Sequence, residues 1–112
     1  MSDYARCVET CAACADACER AARFCLEQGG GYGDRGRVAA LIQCAAFTRT
    51  LSEHFQGNST ILGESLDAFA EICRRSAALC SEFDDEPLVD CARQCLACAA
   101  CAERAGITLA SG

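Results

Sequence analysis

Lysine is missing from this chain of 112 residues, and histidine, methionine and proline each occur once. All ten basic residues are arginines, and no basic run of five or more exists. The formal net charge is −6, the wrong sign for a nucleic-acid partner, which asks for a basic face. It suits a soluble chain that admits cations. The glycines around Gly30 lack the Lys-Ser/Thr that completes a phosphate-binding loop. With His54 as the single histidine, no nucleophile–base pair suggests itself, and the chain does not read as an enzyme. No apolar run approaches the roughly 18 residues of a membrane span. The start, Met1-Ser2-Asp3-Tyr4, shows neither a basic nor an apolar export segment, so a cytoplasmic location is expected. Bulky core formers are also scarce. Leu41, Leu51, Leu62, Leu66, Phe47, Phe55 and Phe69 are expected to supply most of the core volume. A bundle built on so few large side chains is marginal without metal or further copies of itself.

Against these shortages stands one excess: twelve cysteines. Cys7, Cys11, Cys14, Cys18 and Cys25 form a first run, and Cys91, Cys95, Cys98 and Cys101 a last one. Steps of three, four and seven residues return to one face of an α-helix. At about 100° per residue, the first five thiols fall within an arc of about 60°. The motif Cys-x3-Cys-x2-Cys opens both runs, at Cys7 and at Cys91, so the first and last segments resemble an internal pair.

Period-2 alternation is absent, and three breaks divide the chain. The glycine-rich stretch at 29–33 ends one helix. Gln56-Gly57-Asn58-Ser59 supplies a second break, with Asn58 or Ser59 as N-cap. Asp84-Asp85-Glu86-Pro87 supplies a third, with Pro87 at the first position of a new helix. The spacing predicts helices over Asp3–Gln28, Asp34–Phe55, Ser59–Phe83 and Pro87–Ala105. Short loops make successive helices antiparallel neighbours. The expected fold is all-α: one domain over residues 1–112, an antiparallel four-helix bundle with a cysteine-lined core. Folding the last helix back on the first sets Cys25 level with Cys91, Cys18 with Cys95, Cys14 with Cys98 or Cys101, and Cys11 with Cys101. The same construction sets Cys44 near Cys18, Cys80 near Cys91, and Cys73 near Cys98.

Thiols at i and i+4 on a helix are about 5–6 Å apart at Cβ. Two metal–sulfur bonds of about 2.3 Å bridge a similar span. A Cys-x3-Cys pair therefore grips one ion, and a third sulfur from a facing helix makes a trigonal site. Two- and three-coordinate thiolate sites suit Cu(I). Four thiols drawn from two helices would instead suit Zn²⁺. Cys44 or Cys73 taken singly reads more as a small apolar filler. The nine thiols of the outer runs do not. Disulfides are disfavoured, since same-face cysteines of one helix have poor bridging geometry. Cys95-x2-Cys98-x2-Cys101 echoes an iron–sulfur run, but no Cys-Pro follows and the intervening alanines favour a continuous helix. His54 falls near the end of the second helix, level with Cys7. It is either an exposed helix-end residue or a ligand at the mouth of the column.

The pattern Cys7-x3-Cys11-x2-Cys14-x3-Cys18, with Cys25, Cys44, Cys73-x6-Cys80 and Cys91-x3-Cys95-x2-Cys98-x2-Cys101, resembles the four-helix-bundle copper storage proteins over nearly the whole chain. The resemblance implies a thiolate core that sequesters several Cu(I) ions, a cytosolic storage or detoxifying role, and assembly as tetramers. This chain departs from the richest members. Its second and third helices carry one and two cysteines, and His54 stands alone where the family has several histidines and methionines. The expected store is therefore a seam between the first and last helices, with Cys44, Cys73 and Cys80 as third ligands.

Overall fold

The computed structural model describes residues 3–57 and 62–111, with side-chain surroundings for residues 5–57 and 66–105. Four helices make up its frame: α1 Asp3–Gln28, α2 Arg35–Gln56, α3 Leu62–Cys80 and α4 Glu86–Ser111. α1 packs on α2 and α4, and α3 packs on α4 and α2, so the helices run in chain order around the core. Along the α1–α4 seam residue numbers rise on one helix as they fall on the other. Cys11 meets Cys98, and Cys18 meets Cys91. The bundle is thus antiparallel, as the short connections require.

The glycine stretch closes α1 with a single 3₁₀ turn, Gly30–Gly33. Gly29 and Gly30 take positive φ of 67° and 54°. A side chain strains that backbone region, which is why glycine stands at the helix exit. The Gly29 N–H donates to the Cys25 carbonyl at 3.1 Å and satisfies one orphan acceptor of α1. Asp34 stands outside α2 as its N-cap, not inside it, and its carboxylate accepts from the Arg37 N–H at 3.1 Å. α4 begins at Glu86, so Pro87 sits one position further into the first turn, where its missing N–H still costs no bond. Its C-terminal end extends past Ala105 to Ser111. The expected caps Asn58 and Ser59 lie outside the described residues.

The core is built from small side chains. Leu41, Leu51, Phe55 and Leu66 are buried as expected, together with Leu88. Two expectations need correction. Phe47 is 42% exposed, and Phe69 is half-buried. Their rings meet edge to face, centroids 6.0 Å apart, on the outer side of α2 and α3. The reason is volume. Between them, α1 and α4 offer mostly alanine and cysteine to the interior, so the helices approach closely and leave those rings no room inside. Leu62 lies in α3, but its side chain is outside the described surroundings.

Candidate metal centre

All twelve cysteines are free and buried, none more than 2% exposed. α1 carries five of them on its inner stripe and α4 four, while α2 adds Cys44 and α3 adds Cys73 and Cys80. The α1–α4 seam forms a run of sulfurs in contact. Cys11 and Cys98 Sγ are 3.1 Å apart, Cys14 and Cys95 3.6 Å, Cys18 and Cys95 3.6 Å, Cys91 and Cys18 3.6 Å, and Cys91 and Cys95 3.9 Å. Cys18 meets Cys95 as expected, but the register along the seam is otherwise about one turn away from the sequence-based expectation, and Cys91 meets Cys18 where Cys25 was expected. Cys11 faces Cys98, not Cys101, and Cys101 lies beside Cys7, whose thiol donates to the Cys101 carbonyl at 3.5 Å.

Two groups of sulfurs lie close enough to share an ion, every Sγ within 4.8 Å of the others in its group. One is Cys14, Cys18, Cys44 and Cys95; the other is Cys14, Cys73 and Cys98. Cys44 and Cys73, which singly read as packing residues, therefore belong to the sulfur clusters. Cys14 belongs to both. Neither group includes His54, half-buried in the last turn of α2. Cys7, Cys11, Cys25, Cys80, Cys91 and Cys101 extend the column beyond the two groups. The three-residue steps of Cys95, Cys98 and Cys101 lie on the continuous helix α4, not on a loop wrapped round a cluster.

Electrostatics divides the thiols. Cys14 and Cys91 are pushed strongly toward the thiolate, because neighbours donate S–H groups to them: Cys18, Cys44, Cys73 and Cys95 to Cys14, and Cys18, Cys80 and Cys95 to Cys91. Cys44 feels an opposing push from Cys14, but donors Cys18, Cys73 and Cys95 outweigh it and lower it to about 5. The donors are held protonated in turn. Cys18, Cys73, Cys80, Cys95 and Cys98 all rise far above the ordinary thiol value, by donation to neighbouring sulfurs and by burial. Burial raises Cys7 and Cys25 as well. A metal-free column of this kind keeps most of its protons.

The two ends of the column differ. At the Cys101 end, the Arg104 guanidinium donates to Cys101 Sγ at 3.1 Å. At the Cys25 end sits Arg37, 7% exposed. Its guanidinium donates to the Gly31 carbonyl at 2.7 Å, the Leu79 carbonyl at 3.5 Å and the Glu82 carboxylate at 2.6 Å. It also lies 4.5 Å over the Phe83 ring, which stacks on Tyr32, which in turn meets Phe24 edge to face. This plug ends α3 at Cys80, three residues before the expected Phe83, because the chain must turn to seat Phe83 beneath the guanidinium. An arginine three residues into a helix ordinarily reads as solvated, so no local pattern marks Arg37 as buried.

Comparison with known proteins agrees with this geometry. The family model described as copper storage protein matches residues 1–106. A crystal structure of the Nmul_A1745 protein from Nitrosospira multiformis superposes with a TM-score of 0.88 at 24% identity, covering 95% of this chain and 96% of that one. The structure of the Cu(I)-bound copper storage protein BsCsp3 superposes with a TM-score of 0.85 at 24% identity, covering 92% and 97%. No curated protein sequence matches the chain. Among the described residues no helix is long and apolar enough to cross a membrane.

Proposed function

The chain belongs to the copper storage protein family, and from that premise we propose that it sequesters several Cu(I) ions along the buried thiol column. The observation that carries the reading is the succession of close sulfurs along the seam: Cys11 and Cys98 are 3.1 Å apart, Cys98 lies within 4.8 Å of Cys14, and Cys14, Cys18, Cys91 and Cys95 are joined by contacts of 3.6 to 3.9 Å. Three sulfurs about 2.3 Å from one ion in a trigonal plane stand about 4 Å apart. The contacts of 3.6 to 3.9 Å are therefore close to edges of such sites, and Cys14, which belongs to both sulfur groups, can serve two. Soft thiolates select Cu(I) among the ions a cell offers. Loading exchanges S–H protons for copper, so one monovalent ion per thiolate keeps the interior near neutral. The twelve cysteines are the proposed ligands, and His54 is proposed as a ligand or gate at the end of α2.

The proposed role is storage by chelation, which needs no general base. The proposed location is the cytoplasm, a reading supported by the free thiols, which a reducing compartment maintains. A homo-oligomer, in the family's manner a tetramer, is supported by Leu26, Ile42, Leu96 and Val89, which stand exposed on the bundle surface.

Titration of the reduced chain with Cu(I) against a competing chelator tests the reading. Several tightly held ions per chain are expected. One ion or none would defeat it.

A further inference from the structure

Copper storage needs sulfurs in pairs and threes. One part of the column offers something else. Cys14 and Cys18 lie one turn apart on α1, Cys44 reaches in from α2 and Cys95 from α4, and their four Sγ atoms converge within 4.8 Å of one another. From this convergence we propose that Cys14, Cys18, Cys44 and Cys95 form a closed tetrahedral site for a single Zn²⁺ ion.

Four sulfurs about 2.3 Å from a central zinc stand about 3.8 Å apart. The Cys14–Cys95 and Cys18–Cys95 edges are already 3.6 Å. The other edges reach that length by small side-chain rotations, because none exceeds 4.8 Å. All four side chains are fully buried, so protein sulfurs fill every position, as in structural zinc sites. Entry of the ion forms four Zn–S bonds, and each of the four sulfurs that still carries a proton gives up its S–H bond and releases that proton to solvent. The complex then carries two negative charges in the core. Neighbouring thiols supply its outer partners: Cys91 Sγ lies 3.6 Å from Cys18 Sγ, and Cys73 and Cys98 lie within 4.8 Å of Cys14. Outer hydrogen bonds of this kind hold ligating sulfurs in place. Fe²⁺ and Co²⁺ fit the same geometry but bind more weakly than Zn²⁺.

The site has a consequence for storage. Cys14 also belongs to the group with Cys73 and Cys98. An ion in the cage removes Cys14 from that group, so the zinc-bound chain starts with fewer free copper sites. Cu(I) in excess, being softer, takes the thiolates back.

Anaerobic titration of the reduced full-length chain with Co²⁺, followed by Zn²⁺, tests the proposal. Expected is a spectrum of tetrahedral thiolate-bound Co²⁺, with strong visible bands and sulfur-to-cobalt charge transfer, saturating at one ion per chain. Zn²⁺ should bleach it, and Cys44→Ser and Cys95→Ser should each weaken Co²⁺ binding by about tenfold or more. Circular dichroism of both variants tells ligand loss from unfolding. If one variant unfolds, the other decides. Weak octahedral bands, more than one tetrahedral ion per chain, or unchanged affinity in a folded variant would overturn the site. Cu(I) titration in parallel separates the two readings. A chain that takes many Cu(I) ions but no Co²⁺ or Zn²⁺ refutes the zinc cage alone, and a chain that takes none of them refutes storage too.

Discussion

At the scale of single residues, position in the column decides what a cysteine is worth. Cys14 touches Cys95 and belongs to both sulfur groups, and Cys98 pairs with Cys11 at 3.1 Å and joins one group. Cys44 joins one group from the side. Replacing Cys14 and Cys98 together with alanine is therefore expected to reduce Cu(I) capacity more than Cys44→Ala, as chelator competition would show. Equal losses would mean that sulfurs count singly. Arg37 poses a different case. Arg37→Ala leaves the Gly31 carbonyl without its 2.7 Å donor and removes the cation from over Phe83. A loss of about 2 kcal/mol is expected in denaturant unfolding of the metal-free chain. Arg37→Lys should recover only part of it, since an ammonium cannot reach carbonyls and a carboxylate in one plane. The thiols were legible in the sequence because thiols repeat, and a repeat declares a face. Arg37 was not, because its role depends on partners that no local pattern reports: Leu79 and Glu82 lie more than forty residues along the chain.

At the scale of elements, the four helices were legible where punctuation was strong. The bounds of α1 match the expectation, because glycine follows its last residue at positive φ. α3 and α4 differ at their facing ends. Ser81–Asp85 is shaped by what Phe83 packs against, and no local signal reports that. The register of α4 on α1 is equally non-local, and it places Cys98, not Cys101, opposite Cys11. The burial of Phe47 was misjudged for a related reason: periodicity names a face, but helix spacing decides how large a ring the face can bury. The exit of α1 supports a pointed test. Gly29 has φ 67° with nothing within 4 Å of an added Cβ, so alanine there meets strain but no clash. Gly29→Ala is expected to cost about 1–2 kcal/mol. Gly31→Ala, in equally open space without the positive φ, should cost far less. Paired thermal melts of the two variants would check this, and equal costs would remove the backbone explanation.

At the scale of the whole molecule, the column couples folding to protonation. Seven thiols, Cys7, Cys18, Cys25, Cys73, Cys80, Cys95 and Cys98, rise above the ordinary value of 9.0 in the fold. Three, Cys14, Cys44 and Cys91, fall below it. A raised thiol contributes stability that is complete below its unfolded pKa and is lost as pH climbs from there toward the folded value. A lowered thiol contributes stability above its unfolded pKa that is lost as pH falls through the folded value. Raised thiols outnumber lowered ones, so above about pH 9 the unfolded chain gives up more protons than the folded one. The metal-free protein is therefore expected to lose stability as pH rises from about 8 to 10. The copper-loaded protein has already exchanged those protons and should show a flatter profile over the same interval. Its advantage over the metal-free chain should accordingly widen with pH. Denaturant unfolding of both forms at stepped pH, under anaerobic conditions with reductant, measures the difference. A metal-free chain as stable at pH 10 as at pH 8 would show that its buried thiols do not hold their protons.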